Sequence, residues 1–156
     1  MSGSPSADNG FLAEHVAHLL DSYQRLLGRT LLENLDSPIA TAEAIFNTKF
    51  AVLSSGTESD PMFNYANQTA LTLFELDWDT LITLPARQSA EPSLQTTRAK
   101  LMAQVQQNGF IDGYSGIRVS ASGRRFMIEQ ATVWNVIGVD GQAHGQAATF
   151  SNWRTV

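Results

Sequence analysis

Cysteine is absent from this chain of 156 residues. Disulfides, thiolate metal sites and a cysteine nucleophile are therefore excluded. No apolar run approaches the roughly 18 residues that a membrane span requires, so no membrane association is expected. Charged residues are scarce at 16%, and the 10 basic ones are outnumbered by 15 acidic ones, for a formal net charge of -5. A compact nucleic-acid binder is normally basic, so direct nucleic-acid binding is not expected either. Also missing are a nucleophile elbow, a phosphate-cradling glycine loop and the paired histidines of a metalloprotease helix. The first ten residues have neither the positive start nor the apolar stretch of a secretory signal, which leaves a cytoplasmic protein as the expectation.

What is present is an ordinary globular composition, with 43% hydrophobic residues in a length that suits one domain. Charge is unevenly placed. Residues 1–91 carry 12 acidic and 4 basic residues, whereas residues 92–156 carry 3 acidic and 6 basic. Such asymmetry can steer partners. It also describes acidic exposed helices beside a more neutral sheet, which is the simpler reading.

Residues 1–10 read as a loose tail. From Phe11 the pattern is helical: Leu12, Val16, Leu19, Leu20, Tyr23, Leu26 and Leu27 recur at spacings of three and four, and Gly28 is a plausible stop. The stripe must bury itself on this chain's own sheet or on the same helix of a second copy. Ser37-Pro38 announces a second helix carrying Ile39, Ala42, Ile45 and Phe46. Residues 50–55 and 62–66 read as short strands. Asn67 is a good cap for a helix through Ala70, Leu71 and Phe74. Asp77 starts a further turn with Trp78, Leu81 and Leu84, ended by Pro85. A longer helix is predicted from Pro92 to about Gln107, with Leu94, Leu101, Met102 and Val105 buried. The last third reads as a meander of three strands, 110–121, 124–137 and 143–153, with a hairpin at Asp140-Gly141. Strands that bracket a helical insert predict an α+β fold: a five-stranded antiparallel sheet with helices on one face, plus an N-terminal amphipathic helix.

This order matches the PAS fold, and particular residues sharpen the match. The stretch Phe63-Asn64-Tyr65-Ala66-Asn67 resembles the PAS segment in which a strand ends at a helix-capping Asn. Phe50-Ala51-Val52-Leu53-Ser54, Leu84-Pro85-Ala86-Arg87 and Ser89-Ala90-Glu91-Pro92 resemble one branch, the MEKHLA domain. So do Gly109-Phe110-Ile111, Tyr114-Ser115-Gly116-Ile117-Arg118, Gly123-Arg124-Arg125-Phe126, Gln130-Ala131-Thr132-Val133-Trp134-Asn135 and His144-Gly145-Gln146-Ala147-Ala148. The resemblance spans about residues 11–153. It implies a domain that senses small molecules, binds a cofactor such as haem or flavin, or pairs with other proteins. It also implies kinship with the domain at the end of plant homeodomain–leucine-zipper transcription factors, where it is thought to regulate dimerisation or bind a signal. With no DNA-binding or kinase segment in view here, output is expected to pass through association with another chain. The expected division is a tail at 1–10, a helical segment at 11–48 and the PAS-like MEKHLA domain at 49–156.

Which residues carry chemistry is less sharply marked. Light-sensing PAS relatives attach flavin through a Cys, so a covalent flavin adduct is excluded. Haem needs an axial ligand, most often His. His144 opens the last strand instead of lying on the helix that PAS haem proteins use, so haem is not expected. His15 and His18 lie three apart on a helix, near enough to share a metal. No third ligand has suitable spacing, and a solvated helix face explains them better. Asp112 or Glu129 would serve as a base only with a raised pKa. Pairing with Arg118, Arg124 or Arg125 is the plainer role. Alternation along 124–137 places Phe126, Ile128, Gln130, Thr132 and Trp134 on one side. A buried Gln130 would need partners, either Gln146 or a ligand. Arg87 could clamp a carboxylate or pair with Glu91 or Asp79. Trp78, Trp134 and Trp153 are packing residues or ligand walls.

The leading expectation is a non-enzymatic sensor or regulatory module that holds a small organic ligand between the sheet and the helices around residues 67–109. Its candidate lining is Asn67, Leu71, Phe74, Trp78, Arg87, Tyr114, Gln130, Trp134 and Gln146. Homodimer contacts are expected on the N-terminal helix through Leu12, Val16, Leu19 and Tyr23. A pure interaction module with a filled interior is the first rival. A small α+β isomerase or hydrolase using Asp112, Glu129 or His144 is the second.

Overall fold

The computed structural model describes residues 3–90, 95–138 and 140–156. Helix α1 (Ala13–Leu27) follows a 3₁₀ turn at Ala7–Leu12, so part of the expected tail has defined backbone. Gly28 ends α1 with its N–H bonded to the Gln24 carbonyl. Helix α2 (Pro38–Asn47) begins as Ser37-Pro38 predicts, with the Ser37 hydroxyl accepting from the Ala40 N–H. Asn67 caps α3 (Gln68–Phe74) and Asp77 caps α4 (Trp78–Leu81). A 3₁₀ turn (Ala86–Ser89) leads towards α5 (Gln95–Asn108). Glu91, Pro92 and Leu94 lie outside the described residues, while Val105 on the expected stripe of α5 is buried.

Strands β1 (Ala51–Ser55), β2 (Phe63–Ala66), β3 (Phe110–Val119), β4 (Arg125–Ile137) and β5 (Ala143–Phe150) pair antiparallel in the order β2-β1-β5-β4-β3. The final strand is not continuous to Trp153 as expected. It breaks at Ser151, and a sixth strand, β6 (Asn152–Thr155), pairs with the first part of β4 while β5 pairs with the second. Opposite the break, Gln130 has φ of 53°, a left-handed conformation that shifts the pleat by one residue. Simple alternation along β4 therefore fails. Ile128 and Val133 face the same side, although they are five apart. Trp134 and Thr132 turn to the other side.

Helix α1 covers that other side. The Trp134 indole N–H donates to the Leu19 carbonyl at 3.2 Å, and Tyr23 meets the Trp134 ring edge-on at 4.9 Å. The Ser22 hydroxyl both donates to the Ile137 carbonyl and accepts from its N–H. Val16, Leu19 and Tyr23 are all under 5% exposed, and Leu12 packs at the edge of the same core. Full burial of such side chains contributes about 1.5–3 kcal/mol each. Of the two burial sites open to the stripe, the chain's own sheet is the one used. The expected dimer contact through Val16, Leu19 and Tyr23 is thereby corrected, because those side chains are already buried in the chain's own core. The opposite side of the sheet is covered by α3, the Ala86–Ser89 turn and α5.

Two positions tie these layers. Gly145 has φ of 127°, and a side chain there would strike the Ser55 carbonyl, so its absence lets β5 close on β1. Asn67 is fully buried with its side-chain amide completely used. Its Oδ1 accepts from the Val52 and Ala70 N–H groups at 3.0 and 3.1 Å. Its Nδ2 donates to the Ile45 and Phe50 carbonyls at 3.0 and 2.8 Å. One side chain thus joins the end of α2, the start of β1 and the start of α3. Replacing Asn67 with Ala leaves those four backbone groups without that partner. The expected loss is about 3–5 kcal/mol in urea-unfolding free energy, set by the cost of unsatisfied buried polar groups. A loss below about 1 kcal/mol would show that water replaces the amide without penalty.

Candidate functional site

Between the sheet and its helical cover lies a cavity of about 60 Å³. Leu53, Phe63, Phe74, Ile128, Val133 and Phe150 form most of its walls, with Met102 from α5. Its polar groups are few and mostly committed. Ser89 donates to the Ala86 carbonyl, and the Gln146 amide donates to the Met102 carbonyl at 2.9 Å and to Asn135 at 3.4 Å. A largely apolar hollow with a few polar anchors is the usual form of a small-molecule site.

Arginine supplies the charge. Tyr114, Gly116 and Arg118 follow one another on alternate positions of β3. A side chain at Gly116 would fall on the Tyr114 hydroxyl, so the glycine leaves the gap across which Tyr114 and Arg118 meet. The Arg118 Nη2 donates to the Tyr114 hydroxyl at 3.0 Å and its Nη1 to the Ile117 carbonyl at 2.9 Å. Arg98 reaches the same cavity from α5, and its Nε is buried with no hydrogen-bond partner among the described residues. Burial, and then the like charge of Arg118, lower the Arg98 guanidinium to about 10, against a smaller opposing effect of Tyr114. It remains charged at neutral pH.

Of the expected lining, Phe74, Tyr114 and Gln146 are brought together at this cavity. The others are not. Asn67 is used in the backbone junction described above, and Leu71 lies in the general core. Trp78 packs edge-on against Tyr65 at 6.0 Å. Arg87 is exposed and pairs with Asp60 at 3.1 Å, not with Asp79. Gln130 is exposed near Ser151 and Asn152, because the left-handed turn at that residue takes it off the inner face, and Gln146 bonds Asn135 instead. Trp134 is on the α1 side. Asp112 pairs with Arg29 in two hydrogen bonds of 3.0 and 3.1 Å, and Glu129 with Arg154 at 3.2 Å. The three arginines suggested for them from sequence are not those partners. Arg118 was expected only as an ion-pair partner, and Arg98 was missed altogether. Its position on a polar helix face resembles any solvated arginine, and only its neighbours reveal its place.

The MEKHLA domain model matches residues 13–155. The chain belongs to the MEKHLA domain family. It is 27% identical to the homeobox-leucine zipper protein HOX9 of Oryza sativa subsp. indica, over 100% of this chain and 18% of that protein. It is 29% identical to the homeobox-leucine zipper protein REVOLUTA of Arabidopsis thaliana, over 99% of this chain and again 18% of the relative. The chain thus spans less than a fifth of the length of these relatives. In fold, the MEKHLA domain resembles the PAS domain of a protein from Colwellia psychrerythraea, with a TM-score of 0.62 at 16% identity, covering 75% of this chain and 94% of that one. It also resembles an RNA-binding light-oxygen-voltage receptor, with a TM-score of 0.59 at 14% identity, covering 78% of this chain and 36% of that one. The α+β sheet with its helical cover is accordingly a PAS-like fold. Flavin, which the light-sensing members of that fold imply, does not fit the residues here. A cavity of about 150 Å³ holds a molecule the size of benzene, and this one is smaller than half of that. No histidine lines it for haem.

The histidines of the MEKHLA domain gather on the α1 side. His15 is within 2.9 Å of the Ser54 hydroxyl, and His18 stacks on His144 at 4.8 Å. Asp140 lies 3.9 Å from His144, and Tyr65 faces the His15 ring. Among the described residues no group of three or more such side chains is arranged to hold a metal. Burial, with smaller effects of His18 and His144, lowers His15 to about 4. The unfolded chain then binds a proton between about pH 6.5 and 4 that the folded chain does not. Stability is full above that window and falls as pH drops through it, by up to about 3 kcal/mol. The expected outcome is a urea midpoint that declines from pH 7 to 4, with a flatter decline in His15→Asn. An unchanged slope in that variant would remove His15 as the cause.

Proposed function

We propose that this MEKHLA domain is a non-enzymatic sensor module that admits a small organic guest to the cavity between sheet and helices. The supporting observation is the cavity itself: largely apolar walls with a few polar groups, and charge confined to Arg98 and Arg118. None of Asp112, Glu129 and His144, the candidate acids and bases of the enzymatic reading, lines it. Val133 faces the guest, and its neighbour Trp134 holds α1 through the Leu19 carbonyl. A guest that displaces β4 therefore shifts α1, and that shift would be read by a second copy or another partner chain. The small volume favours one rival, a pure interaction module whose interior never takes a guest.

Native mass spectrometry of the protein isolated from its own host separates the two, together with hydrogen exchange. The expected result is a retained small molecule and slowed exchange in α1. Ala148→Leu, which fills the cavity from β5, should lose the retained mass while keeping its thermal midpoint within about 3 °C of the parent, a shift of roughly 1 kcal/mol or less. Identical spectra for both proteins, with no adduct in either, would leave the interaction reading in place.

A further inference from the structure

Arg25, Arg29, Arg87, Arg124 and Arg154 each lie within 3.4 Å of a carboxylate oxygen. Arg98 and Arg118 do not. Among the described residues neither has an acidic partner, yet both line the inner cavity. Arg118 is 92% shielded from solvent, since its exposure is 8%. Its guanidinium is already committed to Tyr114 and the Ile117 carbonyl. The Arg98 Nε is buried and has no acceptor among the described residues. Two shielded cations without a counter-ion, in a chain with excess acidic residues, are an unusual arrangement, because buried charge is ordinarily paired. Most of the remaining lining is apolar, and the volume is about 60 Å³. Such a lining suits a very small molecule that carries both an anionic group and an apolar part.

We propose that the cavity binds a monocarboxylate of one or two carbons, since a cavity that holds the six heavy atoms of benzene is more than twice as large. Its carboxylate would accept from Arg98 and Arg118, and its tail would lie against Phe74, Ile128 and Val133. This inference rests on the sensor reading and adds the chemical class of the guest. A planar carboxylate matches the guanidinium fork. Inorganic phosphate satisfies the charge but leaves the apolar walls in contact with water.

The test is calorimetric titration and thermal shift of the full chain with sodium acetate, acetamide and inorganic phosphate at equal ionic strength. Acetate should bind at least tenfold more tightly than acetamide, and phosphate no better than chloride. Arg98→Met should abolish the acetate response while the ligand-free protein melts at the same temperature or higher, because an uncompensated cation has been removed. Arg98→Lys keeps the charge and should retain binding within about tenfold of the parent. The Nε–H resonance of Arg98 in the unaltered protein should shift on titration, a readout independent of any variant. Equal binding of acetate and acetamide would overturn the carboxylate assignment and leave the sensor reading standing. Phosphate binding better than acetate would also overturn it. Failure of all three probes would overturn this inference, while the retained mass in the native spectrum decides the sensor reading separately.

Discussion

The four hydrogen bonds of Asn67 hold three elements that the chain delivers from different directions. A helix cap needs only the bond to the Ala70 N–H. The bonds to Val52, Ile45 and Phe50 go further and fix the start of β1 against α2 and α3. Because an amide has two donors and two acceptor sites, Asn is suited to a point where both kinds of backbone group are left over. Leu53 of β1 and Phe74 of α3 are cavity walls, so the spacing of the hollow depends on this junction. Packing alone would leave α3 free to slide along the sheet.

The sheet divides the molecule into two sides of different chemistry. On one side, α1 seals a dry aromatic contact between Tyr23 and Trp134 and gathers the histidines at its edge. On the other, the helical cover leaves room, and arginines stand where carboxylates would be expected. The two sides meet through β4, where Val133 and Trp134 are consecutive residues pointing in opposite directions. The cavity wall and the contact to α1 are thus adjacent residues of a single strand.

Much of the fold was legible. The helix starts at Ser37, Asn67 and Asp77 follow from capping chemistry, and the short apolar runs at 51–55 and 63–66 follow from strand composition. The candidate site was legible in part. Phe74, Tyr114 and Gln146 share the cavity because they lie on elements whose faces the pattern specifies. Gln130 and Trp134 were misplaced by a single left-handed residue, since one extra residue in a strand reverses every later side chain. Arg87 was displaced by Asp60, a partner 27 residues away that no local spacing announces.

By itself, the sequence determined which segments are helical or extended, where they are capped, and that cysteine chemistry is closed to this chain. Those are local properties, carried by neighbours within a few residues. Only the tertiary structure decided that α1 lies on its own sheet, that β4 carries a bulge and that Arg98 and Arg118 share a cavity without a carboxylate. Each depends on which distant groups are brought together, and electrostatic and packing energies are set by distance in space, which the order of residues does not state.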